Sequence, residues 1–225
     1  MSRTFEAVLF DLDGTLLDSK PLIMRAFCYA WQRCIKAEPP KARFKQLIGL
    51  PLKTMMVTLL KEQCRDSSDS EVERLLVTYR QHLLEHETAM LSTFDGALDT
   101  LTRIKRARIP VALVTSKAGA ITRRHLDLVG LSALLGAVIC QEDTPHNKPH
   151  PAPFEAGARR LGVEPGLCLA VGDAPADLLS ARAAGMRFAA AMWGADPPSA
   201  LLAERPDYVL NAPREVLVVL GIDRA

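Results

Sequence analysis

An unbroken apolar run, 7–10, is long enough for a buried strand, and it stops at the polar segment Asp11-Leu12-Asp13-Gly14-Thr15. The pattern then turns helical. Leu22, Ile23, Ala26, Phe27, Ala30 and Trp31 recur at helical spacing behind Asp18 and Ser19, which can cap a helix with Pro21 in its first turn. Pro39-Pro40 breaks that helix, 44–48 reads as a short helix, and Gly49-Leu50-Pro51 as a turn. Two more helices are predicted at 52–62 and 71–87, around the polar loop 65–70. No convincing strand is predicted between about 17 and 90, so 17–90 reads as an all-helical cap inserted after the first strand.

From Phe94 onward strands and helices alternate. Helices are predicted at 95–108, 118–129 (ended by Gly130), 153–161 (with Gly162 behind it), 176–184 and 213–220. Between them lie strands at 109–114, 137–140, 167–171, 188–192 and 208–210. Short links between alternating elements predict a parallel sheet with helices on both faces. The expected fold class is therefore α/β, a Rossmann-like core of 1–16 and 91–225 with the helical cap 17–90 inserted into it.

Composition narrows the function classes. The 225 residues carry 28 basic and 26 acidic side chains, a net charge of +2 that gives no reason to expect nucleic acid or a membrane as partner. Five cysteines, odd in number and without a C-x-x-C pair, indicate neither a disulfide framework nor a zinc site. They point to a reducing compartment. The start lacks a charged-then-hydrophobic signal segment, and no apolar run nears the roughly 18 residues that span a bilayer. A soluble, cytoplasmic protein is the expectation, as monomer or homodimer.

The polar strand ends carry the candidate chemistry. In extended backbone, side chains two apart point the same way, so Asp11 and Asp13 can converge just past a strand end, where open α/β sheets bind ligands. Two carboxylates so close need a cation, a shared proton or water. Thr115 and Ser116 close the strand 109–114 ahead of a helix, either as a cap or as part of an anion site. Lys148 stands in a proline-flanked loop whose His146 and His150 have no metal-ligand spacing. A second strand ends at Gly172-Asp173, with Asp177 four residues on, either a helix-start carboxylate or a ligand; Gly172 permits close backbone approach. Asp11, Asp13 and Asp173 make a hard-oxygen set that suits Mg²⁺ shared with a phosphate.

The segment from Asp11 to Ser19, Asp-Leu-Asp-Gly-Thr-Leu-Leu-Asp-Ser, resembles the first motif of the haloacid dehalogenase superfamily in its phosphatase form. Within it the likeness is to the phosphoglycolate phosphatase and pyrophosphatase-like branch. Val114-Thr115-Ser116, Lys148 and Gly172-Asp173 resemble the second, third and fourth motifs in order, so the likeness covers nearly the whole chain. The resemblance implies an Mg²⁺-dependent phosphatase for a small phosphorylated substrate. Asp11 would be the nucleophile, Asp13 the acid and base, Thr115 a phosphate binder and Lys148 the neutralising cation. Magnesium would be held by the Asp11 side chain, the Asp13 backbone carbonyl and Asp173, supported by Asp177. Asp13 argues against a dehalogenase or a phosphonate hydrolase. A sugar phosphomutase resembling β-phosphoglucomutase is the alternative on the same core, and a non-catalytic binding protein the rival from another class. Lys53, just inside the helix after Gly49-Leu50-Pro51, is the candidate to read an anionic leaving group.

Overall fold

The computed structural model describes residues 4–223. Strand β1 (Ala7–Phe10) is buried at every position. A two-residue strand β2 (Leu17–Asp18) follows, then helices α1 (Lys20–Ile35), α2 (Lys41–Leu47), α3 (Leu52–Glu62) and α4 (Asp69–Met90). A second two-residue strand, β3 (Ser92–Thr93), pairs antiparallel with β2. The remainder alternates: α5 (Ala97–Arg106), β4 (Val111–Val114), α6 (Gly119–Leu128), β5 (Ala137–Ile139), α7 (Ala152–Leu161), β6 (Cys168–Gly172), α8 (Pro175–Ala183), β7 (Arg187–Ala191), α9 (Pro198–Ala203), β8 (Tyr208–Leu210) and α10 (Glu215–Val219).

Six strands form one sheet in the order β5-β4-β1-β6-β7-β8, with every neighbouring pair parallel. This is the expected α/β, Rossmann-like architecture. Side chains alternate faces along each strand. Val8 and Phe10 accordingly join one apolar cluster with Leu101, Leu113, Val171 and Leu217, while Ala7 and Leu9 join another with Ala112, Phe154, Leu178 and Phe188. Burial on both faces explains why the central strands are continuously apolar rather than alternating. Helices α1 to α4 close over a third cluster, in which Phe27 stacks on Phe44 with centroids 3.7 Å apart.

Three local features differ from the sequence expectations. Residues 17–90 do contain a strand, β2, but two residues have no period to read, and the partner β3 lies far along the chain. Ser19 occupies the N-cap position of α1 without capping it, because its hydroxyl is bonded to Asp13 instead. Helix α9 follows Asp196-Pro197 in the stretch between 192 and 208, for which no element is predicted.

Candidate active site

Sheet order assembles the site. Strand β1 lies between β4 and β6, so the residues that follow these three strands meet at one end. The sheet ladder runs into the site itself: the amide of Asp11 donates to Val171 O at 2.9 Å, and that of Thr115 to Ile139 O at 2.9 Å. Lys148 enters from the loop before α7. Its ammonium donates to Asp11 Oδ1 at 2.6 Å and to Val114 O at 2.6 Å, and pairs with Asp177 Oδ1 at 2.7 Å. All three protons thus have acceptors in a buried place.

Carboxylate oxygens of Asp11, Asp173 and Asp177 lie within 4.8 Å of one another, all on buried residues. Asp13 is not in this cluster. Regular strand ends at Phe10, so the two-residue alternation that would align Asp11 with Asp13 no longer applies. The Asp13 carboxylate instead accepts from Lys117 at 2.6 Å and from Ser19 Oγ at 2.5 Å. Asp177 is the helix-start carboxylate: Oδ2 accepts the amide of Ala174 at 3.1 Å, at the start of α8, while Oδ1 pairs with Lys148. Gly172 lets it fold back, since a Cβ there would stand 2.6 Å from Asp177 side-chain atoms.

Charge is tight in this cluster. Lys20 donates to Asp173 Oδ2 at 2.7 Å and also to the Gly194 carbonyl, and Thr15 Oγ1 donates to Asp173 Oδ1 at 2.9 Å. Among the described residues Lys148 and Lys20 are thus the two ammonium groups bonded to these three carboxylates. Burial pushes the Asp11 carboxyl well up, Lys148 pulls it down, and Asp177 and Asp173 push it up further. Asp173 is likewise raised by burial, against Lys20. For Lys148, burial opposes the charge, but Asp11 and Asp177 outweigh it and hold the pKa above the ordinary lysine value. Burial works against Asp13 too, yet Lys117 and Ser19 keep its carboxyl below the usual range. A hard, all-oxygen cluster short of positive charge fits a divalent metal ion.

A cavity opens over these groups. Asp11, Asp13, Thr115 and Ser116 line it from the sheet, Lys53 and Arg80 from the helical segment. Ser116 Oγ is buried there without a hydrogen-bond partner among the described residues, a donor free for a ligand. Thr115 Oγ1 accepts the amide of Lys117 at 3.2 Å. Lys53 is exposed and paired with Asp69 at 3.0 Å. The rings of His146 and His150 lie against each other at a tilt of 35°, with centroids 4.4 Å apart. Sequence reasoning missed Lys20, Lys117, Ser19 and Arg80. One signal was there for Lys20: a cation in the first turn of a helix is electrostatically misplaced unless something else holds it.

The haloacid dehalogenase-like hydrolase family model matches residues 8–191. The chain is 26% identical over 218 residues to pyrophosphatase PpaX of Oceanobacillus iheyensis, covering 97% of this chain and 98% of that protein. A crystal structure from Haemophilus somnus, named as a predicted phosphoglycolate phosphatase, superposes with a TM-score of 0.87 at 23% identity, over 96% of this chain and 98% of that one. One from Thermotoga maritima, named as a candidate β-phosphoglucomutase, superposes with a TM-score of 0.76 at 22% identity, over 97% and 99%. At such identities the two structures establish the shared fold. Fold, ordered motifs and family match agree: the chain belongs to the haloacid dehalogenase-like hydrolases, as one of their phosphatases.

Proposed function

We propose that the protein is a magnesium-dependent phosphatase acting on a small phosphorylated metabolite through an aspartyl-phosphate on Asp11. One observation carries this reading: the Asp11 carboxylate, at the end of the central strand, is oriented by Lys148 and faces the cavity. With Oδ1 held by Lys148, Oδ2 is the oxygen left to attack phosphorus. A bond forms between Oδ2 and phosphorus as the bond to the leaving oxygen breaks. Lys148, Thr115 and Ser116 supply positive charge and donors around the transferring phosphoryl group, and positioning of this kind is most of what such a transfer needs. Asp13 handles protons, giving one to the leaving oxygen and taking one from the water that hydrolyses the intermediate. Lys117 and Ser19 hold its carboxyl in place, and the Lys117 charge favours the ionised form that accepts the water proton.

Magnesium would be held by Asp11, Asp173 and the Asp13 backbone carbonyl, with Asp177 behind them; bound there, it offsets the charge of the carboxylates and the phosphoryl oxygens. The helical segment, residues 17–90, serves as a cap over the cavity and reads the leaving group. Its separate apolar cluster and the paired strands β2 and β3 at its two ends support this. Lys53 and Arg80 favour an anionic leaving group, a carboxylate or a second phosphate, which suits a phosphoglycolate- or pyrophosphate-like substrate. The five unpaired cysteines suit a cytoplasmic location, and no helix among the described residues is long and apolar enough to cross a membrane.

Phosphate release from a panel of phosphorylated metabolites, ranked by kcat/KM, tests the reading and identifies the substrate class. A sugar phosphomutase, the second reading, has the Thermotoga maritima fold likeness behind it. It predicts interconversion of sugar phosphate isomers in place of net phosphate release.

A further inference from the structure

Beyond the carboxylate cluster, a chain of buried polar groups runs from the helical segment to Asp13. Glu87, near the end of α4, and His125, on α6, are both fully buried. His125 Nε2 lies 3.2 Å from Glu87 Oε2, close enough for an ion pair but not aligned as a hydrogen bond, and neither atom has a hydrogen-bond partner among the described residues. The other Glu87 oxygen, Oε1, accepts from Arg124 Nε. On the far side of the ring, Nδ1 lies 3.2 Å from Lys117 Nζ, the same ammonium that donates to Asp13 at 2.6 Å. We propose that His125 is a positioning residue: its Nδ1 accepts a Lys117 proton and fixes that ammonium on Asp13, while Glu87 fixes the ring.

Donor and acceptor inventory sets the direction of each bond. An ammonium has three protons and no lone pair, so the nitrogen facing it must be the bare one. The ring proton then sits on Nε2, the side of the ring that faces Glu87 Oε2 at 3.2 Å. An imidazolium would put an N–H against the Lys117 ammonium. Burial, followed by the Lys117 and Arg124 cations, pushes the ring pKa down to about 4, with Asp13 pulling the other way, which agrees with a neutral ring. Lysine reaches Asp13 on a flexible four-carbon stem, and a second acceptor removes much of that freedom. Glu87 itself is a buried carboxylate, costly to keep there unless its partners are arranged for it. The chain therefore ties the end of α4 to the group that holds Asp13.

This inference rests on the proton-handling role proposed for Asp13, and two substitutions separate it from a plain packing role. His125→Asn keeps an acceptor near the Nδ1 position but cannot reach Glu87. His125→Gln reaches Glu87 but loses the acceptor facing Lys117. With p-nitrophenyl phosphate, His125→Asn should keep kcat within about 2-fold of wild type, and His125→Gln should lose about 10-fold or more in kcat with little change in KM. In a Lys117→Met background, His125→Gln should add less than about 2-fold, because the bond it removes is already gone. Packing alone predicts the reverse order, since Asn leaves the larger void. Wild-type kcat in the Gln variant, or a greater loss in the Asn variant, would overturn the proposal. ¹⁵N NMR of the wild-type ring at neutral pH gives a readout independent of turnover: a neutral ring with the proton on Nε2 and a bare Nδ1, perturbed by Lys117→Met. A ring protonated on Nδ1 would overturn the proposal even in a protein that folds normally. Absence of turnover in the wild type would instead remove the phosphatase reading, and the NMR result would still decide the hydrogen-bond chain.

Discussion

The sheet end and the helical segment line the same cavity and present charge to it in different ways. At the sheet end, Asp11 and Thr115 keep their backbone amides in the strand ladder, and Lys148 is buried with its ammonium shared among three acceptors. Position there is set by the backbone. On the helical side, Lys53 and Arg80 extend long side chains into exposed ion pairs, with Asp69 at 3.0 Å and Glu73 at 3.6 Å. Exposed pairs of this kind contribute on the order of 0–1 kcal/mol and give way easily to a better partner. Groups pinned by the strand ladder and by buried partners suit the invariable chemistry of phosphoryl transfer, whereas loosely held cations suit recognition of a variable leaving group.

The largest expected effect breaks the sheet-end half of that contrast. Asp11→Asn, which replaces the carboxylate by an amide that is not a competent nucleophile, should leave less than a few per cent of wild-type phosphate release with the fold intact. Mass spectrometry should exclude deamidation back to Asp before any residual rate is read. Withdrawing metal comes next. Excess chelator should abolish turnover and added Mg²⁺ restore it, while Ca²⁺, larger and looser in coordination, should inhibit. Activity unchanged by chelator would remove the metal from the mechanism.

Acid should loosen the join between the two regions. His125 has a folded pKa pushed below its ordinary 6.5 to about 4, so the unfolded chain binds a proton first as pH falls. Its contribution is complete above about pH 6.5 and is lost as pH drops towards 4. Between pH 7 and 5 this amounts to about 2 kcal/mol, or roughly 4–8 °C in Tm. The difference in Tm slope between wild type and His125→Gln isolates that share from the carboxylates, and equal slopes would contradict it. The smallest effect sharpens the helical half. Lys53→Ala should lower kcat/KM for a substrate with an anionic leaving group by about 10-fold, roughly 1.4 kcal/mol, with Arg80→Ala acting in the same direction. Hydrolysis of an aryl phosphate with a neutral leaving group should barely change. Equal losses on both substrates would assign these cations to the core chemistry instead.

Much of this molecule could be read locally. The apolar run 7–10, the period of α1 and the alternation after Phe94 predicted the sheet and most helices, because burial on one or two faces leaves its mark within a few residues. Asp11 and Asp173 stood out because each follows a strand, where side chains leave the sheet, whereas Thr115 and Lys148 were singled out by the resemblance to the family motifs. Ser19 and Lys117 did not stand out. Ser19 looked like a helix cap and Lys117 carried no signal, and their use on Asp13 depends on the path the chain takes after Phe10.

The sequence by itself determined the fold class, the strand-end residues and the hard-oxygen character of the site, since these follow from periodicity and residue type. Tertiary structure decided which groups pair. It put Lys20 on Asp173, 153 positions away, Lys117 on Asp13, 104 away, and Arg124 on Glu87, 37 away. It also moved Asp13 out of the carboxylate cluster and placed Asp177 in it. The physical reason is range: side-chain periodicity records which face is buried, whereas an ion pair forms between whatever groups the strand order and the turns bring within about 3 Å, and no local pattern encodes that distance.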